Sequence, residues 1–477
     1  MSTQYRSFVA GQWQDGGEPV ALYNPSDLQE EVGVYLHAPV EMVNQAVRAA
    51  EEALDAWRGL HAMARSRLLD GIADGLVRRR DELAMAIARE QGKPLRDALA
   101  EATRAADIFR YFASEAIRQK GYTYASIRPG VRVEVQRNPV GVVALVTPWN
   151  FPVVIPAWKA AAALAYGNTV VMKPSEIAPC GAWILADAMR EAGLPAGVFN
   201  LVLGAGQAGA ALVEHEAVAA VSFTGSVATG KRIAAATIAA GKRTQLEMGG
   251  KNPLIVLDDA DLDTAVACAI DGAFLYAGQR CTASSRIIVT EGIHAAFVER
   301  LLAQTASLAV GHALDEATVI GPVVNAEQFE KNRRYADLAR QAGGTVAGGR
   351  ALSRPTRGHY FEPCLVTGLD NSATVCREEV FGPFACVLTA RDYEHALAIA
   401  NDTPFGLSSG LCTTSMKHAQ HFKAHTRSGL ASINTSTSGV DFHVPFGGNG
   451  ASSYGPREQG EFAIEFFTTL RTVYIGD

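Results

Sequence analysis

One cysteine of the chain has neighbours that suit a nucleophile. Cys281 lies in the small, polar segment Gly278-Gln279-Arg280-Cys281-Thr282, which follows an apolar stretch. Buried structural cysteines more often lie among leucine, valine and alanine, as Cys268 does. Because a nearby cation favours the thiolate, we expect Arg280 to lower the pKa of Cys281. A thiolate here could attack a carbonyl carbon and form a covalent intermediate.

Two further polar residues could serve the same chemistry. Glu247 lies between apolar neighbours, and desolvation would raise its pKa and make it a better base near neutrality. An ordinary glutamate at the end of a strand is the alternative. Asn150 lies between two prolines in the segment TPWNFP, and a rigid loop could direct its amide at a developing oxyanion. Asparagine is also common in simple turns.

Several short segments could bind a nucleotide. Lys173 and Glu176 follow a predicted strand, at the end where doubly wound sheets bind ligands. Lys173 could donate to ribose hydroxyls and Glu176 could accept from them, whereas Glu176 would repel a 2′-phosphate; a solvated ion pair is the alternative. Residues 204–209 match G-x-G-x-x-G, but this match alone is weak. The segment around Gly225 is the better candidate, since a strand, a tight turn and a helix would point free N–H groups at a pyrophosphate.

The rest of the chain alternates between apolar β-branched runs and helical patterns, which predicts βαβ units with a parallel sheet. The predicted helices are residues 39–58, Ser66–Glu90, Arg96–Gln119, Ile155–Ala165, Gly181–Glu191, Ala208–Glu214 and Gly230–Ala239, and the predicted strands are Val142–Val146, Thr169–Met172, Val198–Leu203 and Ala220–Phe223. A second series begins near Pro253, with strand Leu254–Leu257 and helix Leu262–Ala277, and continues to about Gly448. The ribbon Gly121–Arg137 and the strand Phe466–Ile475 could pair across subunits or cap their own chain.

Composition narrows the class of protein. A chain of 477 residues predicts more than one domain, and a net charge of −6 argues against a nucleic-acid partner. The first residues lack the pattern of a signal peptide, and no apolar run is long enough to span a bilayer. The 7 cysteines are scattered without a C-x-x-C pair, so we expect neither a disulfide framework nor a metal site. We therefore expect a reduced, cytoplasmic protein that does not bind membranes.

An ordered set of motifs extends over essentially the whole chain: TPWNFP, KPSE, FTGS, LEMGGKNP, GQRC, EEVFGP and PFGG. In this order they resemble the aldehyde dehydrogenase superfamily. The resemblance implies an α/β fold with a Rossmann-type NAD(P)-binding domain (residues 1–120 and 140–249), a catalytic domain (250–450) and a β oligomerisation arm (121–139 and 462–477). It also implies a homodimer or homotetramer.

The resemblance assigns roles to individual residues. Cys281 would be the nucleophile, Glu247 would activate the hydrolytic water, and Asn150 with the Cys281 N–H would hold the oxyanion. NAD, or also NADP, would be bound by Thr147, Pro148, Trp149, Lys173, Ser175, Glu176, Gly206, Phe223, Gly225, Ser226, Thr229, Gly249, Glu379 and Phe381. Lys159 and Glu458 would form a proton route, although the spacing near Glu458 differs slightly from common members. Gly450 stands where many members carry a non-catalytic lysine.

The substrate would be an anionic aldehyde, because two arginines fall near the predicted tunnel. The predicted substrate-binding residues are Arg104, Phe151, Trp158, Arg280, Thr282 and Phe446. Either arginine could instead face solvent or a local carboxylate. The segments IPAWK, GQRCTASSR, GVDFHVP and SSYGPREQG are most similar to α-ketoglutaric semialdehyde (2,5-dioxopentanoate) dehydrogenases, which implies a place in bacterial sugar-acid catabolism.

Other substrates and functions remain compatible with the sequence. Succinate-semialdehyde dehydrogenases usually carry an arginine where this chain has the stretch Ala157-Trp158-Lys159. Phosphorylated or sulfonated aldehydes would also suit two arginines. CoA-acylating relatives generally lack the glutamate base that Glu247 supplies. A non-catalytic, crystallin-like relative would have no need to keep Cys281, Glu247 and Asn150 together.

Overall fold

A computed structural model describes residues 4–476 of the chain. The strands are β1 (Gln4–Tyr5), β2 (Ser7–Val9), β3 (Gln12–Gln14), β4 (Glu18–Asn24), β5 (Asp27–His37), β6 (Tyr122–Ala125), β7 (Val131–Pro139), β8 (Val142–Val146), β9 (Thr169–Lys173), β10 (Phe199–Leu201), β11 (Val218–Thr224), β12 (Arg243–Glu247), β13 (Asn252–Val256), β14 (Ser284–Thr290), β15 (Thr345–Gly348), β16 (Cys364–Thr367), β17 (Phe384–Ala390), β18 (Phe405–Gly406), β19 (Ser408–Cys412), β20 (Leu430–Ile433), β21 (Asn449–Gly450), β22 (Ser453–Tyr454) and β23 (Thr468–Gly476).

The helices lie mostly between these strands. They are α1 (Val40–Gly59), α2 (Ala62–Arg78), α3 (Arg80–Gln91), α4 (Leu95–Ala116), α5 (Val154–Ala165), α6 (Cys180–Glu191), α7 (Gly206–Glu214), α8 (Val227–Ala239), α9 (Leu262–Phe274), α10 (Glu291–Ala306), α11 (Ala326–Gln341), α12 (Thr374–Arg377), α13 (Tyr393–Asn401), α14 (Met416–His425) and α15 (Ile464–Phe467). Short 3₁₀ turns cover Leu275–Gly278 and Glu461–Ala463.

The first large sheet has the order β22-β12-β11-β8-β9-β10-β2-β3. Its five central strands, from β12 to β10, run parallel, and β22 and β2 join antiparallel at the two sides. Strands such as β8 and β9 are apolar along nearly their whole length because helices cover both faces of a parallel sheet. Separate apolar clusters lie on the two faces, one under α2 to α6 and one under α1, α7 and α8.

The second large sheet has the order β15-β16-β17-β14-β13-β19-β20, with β15 antiparallel to an otherwise parallel set. It has its own apolar cluster. The two predicted series of alternating strands and helices are therefore both confirmed, because each builds one of these sheets. The α/β fold class is confirmed with them.

The predicted ribbon and the C-terminal strand lie together. Strands β6 and β7 pair antiparallel, and β23 pairs antiparallel with β7 along its whole length, from Thr468 opposite Pro139 to Gly476 opposite Val131. Tyr122, Tyr124 and Tyr474 of this three-stranded sheet are exposed. No helix within residues 4–476 is both long and apolar enough to cross a lipid bilayer.

Several predicted helices differ from the structure, and the one predicted over Arg96–Gln119 ends at Ala116. The single helix predicted over Ser66–Glu90 is wrong, because the backbone leaves the helical region at Arg79 (φ −100°, ψ 13°) and separates α2 from α3. The Arg79 side chain there pairs with Asp187 of α6 at 2.8 Å, a tertiary contact that local periodicity does not reveal. The helix predicted over Leu262–Ala277 ends earlier, at Phe274.

Candidate active site

Cys281 lies where two cavities meet, since its side chain lines both of them. It is partly exposed, whereas the other cysteines are buried. The chain reaches this point through a left-handed turn, with φ of 59° at Tyr276, 53° at Ala277 and 62° at Gly278. Only glycine fits at 278, because a Cβ there would lie 2.0 Å from the carbonyl oxygen of Gly382. The turn therefore ends α9 and holds the thiol at the junction.

The first cavity, of about 290 Å³, lies between the two large sheets. Nine of the predicted site residues line it: Pro148, Trp149, Asn150, Gly225, Ser226, Gly249, Cys281, Glu379 and Phe381. A Cβ on Gly249 would lie 2.1 Å from a Glu379 carboxylate oxygen, so a glycine keeps this wall open. Glu379 accepts a hydrogen bond from the Gly250 N–H at 2.8 Å. The hydroxyl of Thr224, also in this wall, is buried without a hydrogen-bond partner.

The remaining predicted cofactor residues lie outside this cavity. Lys173 ends β9, and its ammonium donates to the Glu176 carboxylate at 3.1 Å. Burial is the largest single effect and opposes the charge of Glu176, but the Lys173 cation, hydrogen bonds to the carboxylate and His37 together outweigh it, so the pKa of Glu176 is lowered. Thr147 follows the neighbouring strand β8, and its N–H donates to the Lys173 carbonyl. These residues share the carboxyl edge of the first sheet, where nucleotides bind in such folds.

Some of the predicted cofactor residues also stabilise the local fold. Ser226 caps α8, its hydroxyl accepting from the Thr229 N–H at 3.2 Å. The Phe223 ring packs beneath Gly225, where a Cβ would lie 2.5 Å from the ring. The other two predicted residues are Ser175, which follows β9, and Gly206, which begins α7.

The second cavity, of about 260 Å³, opens on the other side of Cys281. All six predicted substrate-binding residues line it: Arg104, Phe151, Trp158, Arg280, Thr282 and Phe446. Helices α4 and α5 supply one wall, the turn before Cys281 a second, and residues 438–440 a third. The structure therefore brings these six residues together around one cavity.

Arg280 is held differently from the prediction. Its guanidinium is buried and donates to the carbonyl oxygens of Asp271 and Gly272, with the Asp271 carboxylate 3.9 Å away. It also lies 4.9 Å from the centroid of the Tyr276 ring. Its Nε is buried without a hydrogen-bond partner. Arg104, at the mouth of the cavity, donates to the Val440 carbonyl.

The pKa of Cys281 is raised, contrary to the expectation from the neighbouring Arg280. Burial raises the pKa of the Cys281 thiol to about 12, and the carboxylates of Glu379 and Glu247 act in the same direction. The Arg280 guanidinium does not overcome these effects because it is turned toward Asp271.

Asn150 is buried beside the nucleophile. Its side-chain Nδ2 donates to the carbonyl oxygen of Gln279 at 3.0 Å, two residues before Cys281. The amide of Asn150 thus contacts the segment that carries the thiol.

Glu247 ends β12 and is almost fully buried, but it lines neither cavity. It accepts a hydrogen bond from the Ser453 hydroxyl of β22 at 2.6 Å. Burial, with repulsion from Glu458, raises its pKa well above the usual value. The predicted direction of the shift is confirmed, and a raised pKa makes the Glu247 carboxylate a stronger base.

Lys159 and Glu458 form a buried ion pair next to this carboxylate. The Lys159 ammonium also donates to the Ser222 hydroxyl at 2.7 Å, and that hydroxyl lies 2.9 Å from the Gln245 side-chain oxygen. One Glu458 carboxylate oxygen is buried without a partner. The two residues predicted from distant parts of the chain therefore meet.

Sequence reasoning missed several residues of the site. Gln279 presents the carbonyl that Asn150 contacts, and Gln328 and Lys331 of α11 line the first cavity. Lys93 donates to the carbonyl oxygen of Asn150 at 2.9 Å. The sequence around these residues is that of ordinary helices and loops. Nothing in it indicated that they would belong to the site.

Comparison with known proteins agrees with this geometry. The model of the "Aldehyde dehydrogenase family" matches residues 13–473. An α-ketoglutaric semialdehyde dehydrogenase from Bacillus subtilis is 42% identical over 99% of this chain and 98% of its own. An α-ketoglutarate semialdehyde dehydrogenase from Haloferax volcanii is 39% identical over 99% of both chains. The chain therefore belongs to the aldehyde dehydrogenase family, and it is an NAD(P)-dependent oxidoreductase.

A solved structure extends the comparison to the cofactor. A betaine aldehyde dehydrogenase from Staphylococcus aureus, in complex with NAD+, has a TM-score of 0.96 and 33% identity, covering 99% of this chain and 95% of its own. The predicted fold and the predicted nicotinamide cofactor are both confirmed.

Proposed function

We propose that this protein oxidises an acidic semialdehyde, such as α-ketoglutaric semialdehyde, to the carboxylate through a thioester on Cys281. The observation that carries the proposal is the position of Cys281 in the walls of two cavities at once. A thiol between a cofactor cavity and a substrate cavity allows an aldehyde carbon to be bound covalently while it faces an electron acceptor.

The first cavity fits the nicotinamide end of the cofactor. The unpartnered Thr224 hydroxyl and the open backbone at Gly249 leave a polar cradle that a bound group would fill. Glu379 would hold ribose hydroxyls, and Lys173 with Glu176 would hold the adenosine side at the edge of the sheet. When bound there, NAD+ would accept a hydride from the substrate carbon. A carboxylate at Glu176 supports NAD over NADP, since it would repel a 2′-phosphate.

The residues of this chain then divide the work. The thiolate form of Cys281 attacks the aldehyde carbon, and the Asn150 amide with the Cys281 N–H holds the resulting alkoxide. After oxidation, Glu247 takes a proton from water, which attacks the thioester carbon and releases the carboxylate and the thiolate. Because Glu247 lines neither cavity in this conformation, it must turn toward the thioester to act.

The buried pair beside Glu247 gives its proton a route outward. The Lys159 ammonium donates to both the Glu458 carboxylate and the Ser222 hydroxyl, and that hydroxyl lies 3.2 Å from the same carboxylate oxygen, so the three groups form a hydrogen-bonded cluster next to the base. The unpartnered oxygen of Glu458 is a ready acceptor. We assign these residues to proton transfer away from Glu247.

The charge in the second cavity supports an acidic substrate. The unpartnered Nε of Arg280 lies in its wall, and Arg104 lies at its mouth without a carboxylate partner in residues 4–476. The relatives from Bacillus subtilis and Haloferax volcanii carry names that specify α-ketoglutaric semialdehyde. A carboxylate at the far end of the substrate would fill the hydrogen-bonding capacity of these arginines.

The assembly and domain division are part of the same proposal. Residues 1–120 with 140–249 and residues 250–450 would act as cofactor and catalytic domains, each around one large sheet. The three-stranded arm, residues 121–139 and 462–477, would join subunits into a homodimer or homotetramer. Seven unpaired cysteines favour a reducing, cytoplasmic location.

The test is a panel of aldehydes of three to six carbons, with and without a terminal carboxylate, assayed with NAD+ and NADP+. We expect a higher kcat/KM for the acid-ended five-carbon semialdehyde than for a neutral aldehyde of equal length. Free acid should form without added CoA. An equal preference for neutral aldehydes would contradict the acidic substrate, and a requirement for CoA would contradict hydrolysis.

A matched pair of variants sharpens the test. Arg280→Met should lower kcat/KM for the acid-ended substrate by about ten- to a hundredfold, the value of one charged hydrogen bond, and change the neutral aldehyde much less. Arg300→Met is the control, because Arg300 is a surface residue paired with Asp263 on the outside of the second domain. Equal losses on both substrates would assign Arg280 to structure instead of recognition.

A further inference from the structure

A buried ion pair lies behind the loop that carries Asn150. Lys93 follows α3, Glu101 lies on α4, and their side chains are each 1% exposed. The ammonium donates directly to the carboxylate. Burying two opposite charges carries a large desolvation cost, so such a pair is weak evidence of a stabilising role. Its other contacts indicate what it does.

Both members of the pair bind the loop between β8 and α5. The Lys93 ammonium donates to the carbonyl oxygen of Asn150 at 2.9 Å. The second Glu101 oxygen accepts from the N–H groups of Val153 and Val154, at 3.1 and 3.2 Å. The first amides of a helix have no partner within it, and Val153 provides no side-chain cap. Glu101 therefore caps α5 from another helix.

The same ammonium also lies against the walls of the substrate cavity. Its nitrogen is 4.0 Å from the centroid of the Phe151 ring and 5.2 Å from that of Tyr276. Both rings line the second cavity, and Tyr276 belongs to the left-handed turn before Cys281. One cation thus contacts the loop of Asn150, a ring beside it and the turn that carries the nucleophile.

We propose that Lys93 and Glu101 are positioning residues for the oxyanion site: they fix the backbone of Asn150 so that its amide meets the alkoxide on Cys281. The inference rests on the proposed function, in which Asn150 holds that alkoxide. A donor displaced by about 1 Å can cost about a hundredfold in rate, which gives a fixed backbone its value. The Asn150 side chain donates to the Gln279 carbonyl oxygen, whereas the Asn150 carbonyl oxygen accepts from Lys93.

The test removes both charges together. Lys93→Met combined with Glu101→Gln leaves no uncompensated buried charge, so the protein should fold, as circular dichroism and thermal unfolding would verify. We expect kcat to fall about ten- to a hundredfold, with KM for NAD+ within about twofold of the parent. Glu101→Asp, which keeps the charge but shortens the reach, should give a smaller loss and keeps the test usable if the double variant unfolds.

A mutant cycle with Asn150→Ala separates positioning from a general structural effect. If the pair acts through Asn150, its removal should change kcat by less than about threefold once that amide is gone. The control is the double variant Arg79→Met with Asp187→Asn, which removes another partly buried ion pair between helices. This variant should leave kcat unchanged.

The outcomes are distinguishable. An undiminished kcat in the double variant, or an equal loss with and without the Asn150 amide, overturns the positioning role alone. If Asn150→Ala itself retains the full rate, the oxyanion role in the proposed function is wrong, and the positioning role falls with it.

Discussion

Cys281 is the one cysteine that is partly exposed. Its thiol is nevertheless buried enough to disfavour the thiolate, which is the form that the proposed chemistry needs. Since burial raises its pKa to about 12, only a small fraction is ionised in the free enzyme at pH 7. We expect the rate of alkylation by iodoacetamide, followed by mass spectrometry of the GQRC peptide, to rise about tenfold per pH unit from pH 7 to 10.

This expectation has a clear contrary result. A plateau in the alkylation rate near the ordinary thiol pKa of about 8.5 would mean that the site does not suppress the thiolate. Cys281→Ala should remain unlabelled over the same range, because the other cysteines are buried.

Glu247 offers a second test on a single side chain. Glu247→Gln keeps the shape and the hydrogen bond from Ser453 but removes the base, so the thioester should form and then persist. We expect a rapid burst of nucleotide reduction close to one per site in stopped-flow absorbance, and a steady-state rate lowered about 10²–10⁴-fold. Glu362→Gln, on a surface carboxylate paired with Arg350, is the control. Unchanged steady turnover in Glu247→Gln would remove Glu247 from the mechanism.

Single residues were predictable where chemistry leaves a local signature. A cysteine among glycine and polar neighbours, or a glutamate between apolar residues before two glycines, departs from ordinary packing and so marks itself. The direction of a long side chain leaves no such mark. Arg280 precedes the nucleophile in sequence, yet its guanidinium points toward Asp271. This direction depends on where α9 and the turn after it place Asp271.

Among the elements, β9 is expected to set the cofactor preference through the residues that follow its carboxyl end, if the proposed function holds. Glu176→Ala removes a carboxylate beside Lys173 while the cation stays, so a 2′-phosphate gains an attractive partner and loses a repulsive one. We expect KM for NADP+ to fall by about ten- to a hundredfold and KM for NAD+ to rise, in initial-rate assays with each cofactor. Glu214→Ala, exposed at the far end of α7, should change neither. Unaltered KM values in Glu176→Ala would place the ribose elsewhere.

Element boundaries were less predictable than element types. The sequence predicted one continuous helix across Arg79 because the apolar residues keep a helical spacing on both sides of it. In the structure the helix breaks at Arg79. Likewise α9 was expected to run to Ala277, since the apolar residues continue past Phe274 to Ala277. The actual stop at Phe274 depends on a left-handed turn that tertiary contacts hold in place.

For the whole molecule, the two sheets were predictable because a strand covered on both faces must be largely apolar, as β8 is throughout and β13 is from Pro253 to Val256. What could not be predicted is how distant segments close the site. Strand β22 crosses back to pair with β12 and brings Ser453 to Glu247, over 206 residues of separation. Lys93 reaches Asn150 in the same manner, and no periodic pattern encodes such a meeting.

The left-handed turn before Cys281 limits where new aldehyde specificities could be engineered. Tyr276 and Ala277 hold φ angles that residues with a Cβ adopt only at a cost, and Gly278 has no room for any side chain. Mutational libraries in this turn would mostly yield inactive clones. Substitutions are better introduced at Arg104 and in residues 438–440, which line other walls of the second cavity. Changes there leave the backbone conformation before Cys281 intact.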